Sequence, residues 1–182
     1  MTWVFVTVMV LLAGYGIWVF NGLVKGRNLV EAAWADVDVQ LQRRHDLVPR
    51  LVDVVKAYAK HEKDTLEDVI KQRDQALTVN DVAGKSAAET RLDSALGKLV
   101  VLAESYPELK AGDNFLQLSS DLVETEDQLQ FARRFYNGAV RDYNNAVERF
   151  PDHFVAGAMG FTIANFFQAE QGSRGAASVS IE

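Results

Sequence analysis

The side chains best suited to chemistry in this chain are three histidines, His45, His61 and His153, and a surplus of carboxylates. Glu-x-x-His sets on two helices place a carboxylate and an imidazole on one face and hold di-metal centres. That spacing is missing, because Gln42, Tyr58 and Phe150 stand three residues before the three histidines. The run His61-Glu62-Lys63-Asp64-Thr65 opens like a zinc-protease helix but lacks the second histidine one turn later. Solvated or capping roles are expected for all three, and no metal site is assigned. Ser119 and Ser120 lie in a helical pattern without a G-x-S-x-G elbow, and no Gly-rich phosphate loop is present. The absence of cysteine excludes disulfides, thiol catalysis and Cys-based zinc sites. Glu124, Glu126 and Asp127 have the chemistry for acid and base roles, but a charged run on a helix is usually a solvated face. The expectation is a protein with no catalytic residue, no cofactor and no small-molecule substrate, and no enzyme activity.

What remains is the set of elements those side chains sit on. The 182 residues carry 25 acidic and 19 basic side chains, a net charge of −6, and 48% are hydrophobic. With no basic block there is no surface to neutralise phosphates, so nucleic acid is not an expected partner. Lys25 is the first charged side chain. Residues 2–24, TWVFVTVMVLLAGYGIWVFNGLV, are uncharged and mostly apolar, and as a helix they reach about 35 Å against a hydrocarbon core of about 30 Å. Neither a basic leader nor an A-x-A cleavage site is present, so the segment reads as an uncleaved transmembrane anchor in the lipid bilayer. Its membrane-facing residues are Trp3, Phe5, Leu11, Leu12, Trp18 and Phe20, with the two tryptophans at the interfaces. Lys25 and Arg27 follow the span, and the positive-inside rule then places the C-terminal domain in the cytoplasm. Glu31, Asp36 and Asp38 follow closely, and the periplasmic alternative stays open.

Beyond the anchor the apolar residues fall at helical spacing. Val30, Trp34, Val37, Leu41 and Val48 mark a helix leaving the membrane, and Pro49 predicts a kink or break because its ring crowds the carbonyl of His45. Leu51, Val55, Tyr58, Leu66 and Val69 resume the pattern until the turn at Thr78–Asp81. A third helix runs from about Val82 to Ser105, weakened by Gly84 and Gly97 and closed by Pro107. The fourth runs from Phe115 through Leu118, Leu122, Thr125, Leu129, Ala132, Tyr136, Val140, Tyr143 and Val147 to Phe150, and Pro151 stops it. The core is expected at Trp34, Leu41, Leu51, Val55, Leu122, Leu129, Tyr136, Val140, Tyr143 and Phe150. No segment alternates with period two, so the fold class is all-α: a transmembrane helix followed by a long-helix antiparallel bundle resembling a four-helix bundle. The expected division is 1–24 anchor, 25–170 bundle and 171–182 polar tail. The apolar piece Phe161–Ala169 is expected to dock on the bundle, with a membrane surface as the alternative.

Two features of the fourth helix are less ordinary. Gln130, Arg134, Asn137, Arg141, Asn144 and Glu148 form a polar stripe rotated from the apolar one, expected on the bundle rim opposite Asp36, Asp38 or Asp46. Phe131 and Phe135 fall outside the apolar stripe and form a candidate assembly surface.

Two blocks resemble the bacterial LemA family: RNLVEAAWADVDVQLQRRHDLVPRLVDVVKAYAKHE at Arg27–Glu62, and QFARRFYNGAVRDYNNAVERFPDHFVAGAMGF at Gln130–Phe161. The W-A-x-V-D-V-Q-L-x-R-R core, the D-L-V-P-x-L-V break and the F-A-R-R-F-Y-N-x-A-V-x-x-Y-N pair occur in order. His45 departs from the pattern, where the family often has Tyr. The resemblance implies a membrane-anchored antiparallel bundle of bacterial type with no established enzymatic activity. A magnetosome branch of that family is associated with forming internal membranes, which implies membrane organisation. The expectation is a single-pass protein of the bacterial cytoplasmic membrane whose bundle forms a homo-oligomeric scaffold. The alternative is an adaptor presenting a bundle face to another membrane or envelope protein, such as a protease or signalling partner.

Overall fold

A computed structural model of the chain describes residues 1–167, and the expected tail at 171–182 lies outside the described residues. Among the described residues there are helices α1 (Thr2–Tyr58), α2 (Lys63–Thr78), α3 (Val82–Glu104), α4 (Pro107–Lys110), α5 (Asp113–Glu148) and α6 (Asp152–Ala158), and no strand. The fold is all-α. Two compact units divide it, one built from residues 1–41 and 127–166 and the other from 42–126 with Phe167. Both α1 and α5 contribute to each unit.

In unit 1, α1 and α5 run antiparallel: Gly26 meets Tyr143, and the Trp34 ring packs at a tilt against Tyr136 with ring centroids 5.3 Å apart. A Cβ at Gly26 would lie 3.1 Å from the Tyr143 ring, so glycine permits this close approach. Val19, Leu23, Val30, Ala33, Val37 and Leu41 of α1 step by three, four or seven residues and are buried, as are Leu129, Tyr136, Val140, Tyr143 and Val147 of α5. Each large apolar side chain so placed contributes about 1.5 to 3 kcal/mol. Phe150 is not in the core. It is 75% exposed, because α5 ends at Glu148 and the three-four register no longer applies beyond it.

In unit 2, Val48, Leu51, Val55, Val69, Leu92 and Leu99 are among the core residues, and Leu122 packs half-buried against them. Of the kink or break expected at Pro49, the break does not occur, and α1 passes through the proline to Tyr58. Proline removes the donor that His45 O would have used, and Arg73 Nε of α2 supplies one at 3.2 Å. The helix ends instead at Ala59–Glu62, inside what the spacing reads as one continuous helix. Asp81 caps α3 by accepting from Gly84 N–H at 2.7 Å, and a Cβ at Gly84 would collide with that carboxylate. The one-turn α4, opened by Pro107, buries Leu109.

Candidate functional site

Four charged or titratable side chains converge in unit 2 around Arg44 of α1. Its guanidinium contacts Glu89 Oε2 of α3 at 3.2 Å, Asp93 of α3, and Glu126 of α5 at 3.7 Å. His45 Nε2 lies 2.7 Å from the other oxygen of Glu89. Arg44, His45 and Glu89 are buried, which corrects the expected solvated or capping role for His45. Removing the Arg44 and Glu89 charges from water costs several kcal/mol each, which their mutual contact offsets. The cluster is buried at its centre, where Arg44 and Glu89 meet, and it ties together the three helices that supply it, with Asp93 and Glu126 reaching solvent at its edge. His61 and His153 are exposed, and among the described residues no group of His, Asp or Glu converges to hold a metal.

The polar stripe of α5 does not act as one unit. Asn144 clamps the backbone of Ala164, donating to its carbonyl at 2.9 Å and accepting from its N–H at 2.8 Å. Tyr136 donates its hydroxyl to Asn165 O at 2.8 Å. These bonds seat the stretch Phe161–Phe166, which has no helical hydrogen bonds of its own, on α5. Arg141 pairs with its neighbour Asp142 at 3.1 Å, and Asp46 accepts from Gln42 at 2.9 Å rather than from the stripe. Arg134 lies over the Phe131 ring at 4.6 Å. Asn137 is half-buried, and Phe131 and Phe135 are exposed.

The first half of the apolar run stands bare. Trp3, Phe5, Leu11, Leu12, Trp18 and Phe20 are all exposed, and α1 is long and apolar enough to cross a membrane. From Tyr15 onward one side of the helix is engaged: the Tyr15 hydroxyl donates to Asp152 Oδ1 at 2.5 Å, and the Phe20 ring meets Phe161 edge-on at 5.7 Å. The Tyr15 hydroxyl and the Arg149 guanidinium hold the Asp152 carboxyl below its ordinary value. An expected domain boundary after residue 24 therefore does not coincide with a packing boundary, since Val19 and Leu23 are already buried.

The family model of the LemA family matches residues 33–181. The chain belongs to the LemA family. It is 27% identical to magnetosome protein MamQ 2 of Paramagnetospirillum magneticum, over 82% of this chain and 64% of that protein. It is 25% identical to protein LemA of Metamycoplasma hominis, over 83% of this chain and 69% of that one. A further relative, magnetosome protein MamQ of Magnetospirillum gryphiswaldense, is 25% identical over 81% and 64%. This LemA-family chain thus spans less than two thirds of the length of the magnetosome relatives it matches. Family membership and the apolar N-terminal helix together describe a membrane-anchored helical protein.

Residue-by-residue chemistry overlooked the Arg44 cluster of this LemA-family chain, although the spacing contained it. Arg44 and His45 both lie three or four residues from Leu41 and Val48, on the buried stripe, and Glu89 lies three before Leu92. A charge in the apolar register of two facing helices is the pattern that finds such a cluster.

Proposed function

We propose that this chain is a non-enzymatic, single-pass scaffold of the bacterial cytoplasmic membrane. Its bundle self-associates, so that many anchors lie side by side and organise or remodel the lipid between them. One observation carries this reading: Phe131 and Phe135 stand 60% and 54% exposed, four residues apart on α5. Two rings at that spacing form a ridge on one helical face, and closed homo-oligomers use the same patch on every copy. The magnetosome names of its relatives fit a role in membrane organisation. Lys25 and Arg27 favour a cytoplasmic bundle. The test is the native mass of the full chain extracted gently from membranes. A large uniform particle that shrinks when Phe131→Glu and Phe135→Glu are introduced is expected, and a monomeric parent chain would overturn the reading.

An adaptor role is the second reading, favoured by a groove of about 780 Å³ in unit 2 whose walls include Pro49, Val52, Leu66 and Ile70. Cross-linking from Ile70→Cys that captures one membrane or envelope protein in fixed ratio would support it, and capture of self-contacts alone would count against it.

A further inference from the structure

Unit 1 carries a second set of exposed apolar side chains, away from Phe131 and Phe135 along the chain. Phe150 is 75% exposed, Phe154 64%, Met159 62%, Ile163 57% and Phe166 46%, all within α6 and the stretches on either side of it. This stretch is held against the apolar part of α1. Asp152 takes the Tyr15 hydroxyl at 2.5 Å and the Arg149 guanidinium, and Phe161 sits on Phe20. Residues 15–20 lie well inside the uncharged run that ends at Val24.

The uncharged run ends at Val24, and Tyr15 and Phe20 stand about 14 and 6 Å before that end along the helix. A hydrocarbon core of about 30 Å counted back from Val24 holds both residues. An interfacial helix sits about 5 to 10 Å deep. Whatever is fastened to Tyr15 and Phe20 goes down with them.

We infer that α6 and the Phe161–Phe166 stretch form a second membrane contact, seated in the interfacial layer beside the α1 span with Phe150, Phe154, Met159 and Ile163 among the acyl chains. The inference rests on α1 spanning the bilayer. Several polar groups that descend with this element have partners: Asp152 has Tyr15 and Arg149, the backbone of Ala164 has Asn144, and the Asn165 carbonyl has Tyr136. Lys25, Arg27, Arg149 and His153 supply basic groups for the headgroup layer, where long stems reach back to water. Arg27 lies over the Phe161 ring at 5.5 Å. The occupant is lipid because the patch continues a helix surface that lipid already covers. The consequence is a two-point anchor, in which α6 fixes the rotation and tilt that a lone span leaves free.

The natural chain has no cysteine, so single cysteines report one place each. Full-length Leu11→Cys, Phe154→Cys, Ile163→Cys and Asp142→Cys proteins, each carrying a polarity-sensitive fluorophore, are reconstituted in phosphatidylcholine and phosphatidylglycerol vesicles. Nitroxide groups high on the acyl chains serve as quenchers for 154 and 163, and nitroxide groups near the chain ends for 11. Blue-shifted emission that is lost to the quencher is expected at 11, 154 and 163, with none of this at 142. Quenching at 11 with water-like, unquenched probes at 154 and 163 would overturn the second contact and leave the span intact. No quenching at 11 would remove the span itself. A probe at 154 that is shielded from water yet untouched by the lipid quencher would show a protein covering the patch, and would equally overturn the inference.

Discussion

Arg44 is the side chain whose loss should be felt most in unit 2, because it is buried and three carboxylates converge on it. Arg44→Met takes from the buried Glu89 the guanidinium that it pairs with, and breaking a buried pair in this way costs about 3 to 5 kcal/mol. Arg141→Met serves as the contrast. Its pair with Asp142 is exposed on both sides, and such pairs are worth about 0 to 1 kcal/mol. Thermal melts of the two variants in detergent, followed by circular dichroism, should therefore separate clearly, and equal losses would deny the cluster its structural role. Asp152 gives a pH dependence. Its carboxyl is held low by Tyr15 and Arg149, so the stability it contributes is fully present above the ordinary carboxylate value near about 4 and is lost as pH falls through the lower folded value. Acidification below about pH 4 should lower the melting temperature of the parent chain more than that of Asp152→Asn, which lacks this contribution at every pH.

At the scale of the element, α1 owes its passage through Pro49 to a donor from another helix. Arg73 Nε on His45 O replaces the bond that the proline cannot make. Arg73→Ala should cost about 1 to 2 kcal/mol in the parent chain, since it strands a buried carbonyl. In a Pro49→Ala background the restored N–H satisfies the same carbonyl, and the cost should shrink, a coupling on the order of 1 kcal/mol in a denaturant-based double-mutant cycle. Additive losses would mean that the two groups are independent. The same residues mark how far the sequence could be read. The periods of 3.6 identified α3 and α5 and most of the core, because an apolar stripe is a local property. The freed carbonyl at His45 was visible too, but its partner lies 28 positions further on, and no local pattern links them. The stop at Ala59 was hidden because apolar residues continue in register on both sides of it. Phe150 was misplaced for the opposite reason: its spacing continued a helix that had already ended. Asn144 looked like one member of a polar stripe, and only the fold of Phe161–Phe166 distinguishes it from Arg141.

For the whole molecule, the apolar helix has two roles that sequence composition merges into one. Composition draws its boundary after Val24, where charge begins, because hydropathy cannot distinguish an apolar side chain facing lipid from one facing protein. Packing draws another near Tyr15, since Val19 and Leu23 are buried at 3% and 2% and Tyr15 and Phe20 hold α6 and Phe161. A chain beginning at Lys25 therefore loses part of the core of unit 1 along with its anchor. A chain beginning at Tyr15 loses only residues that are exposed throughout. Burial of Val19 and Leu23 alone is worth about 3 to 6 kcal/mol, so the Lys25 start should melt well below the Tyr15 start and should be cut by protease around α6. This difference also governs how self-association is tested. A monomeric Lys25 start would report a damaged bundle, whereas a Tyr15 start keeps both Phe131 and Phe135 and the elements that hold α5 straight beneath them. If the two truncations prove equally stable, the contacts of Tyr15, Val19, Phe20 and Leu23 contribute nothing to folding, and the apolar helix is an anchor alone.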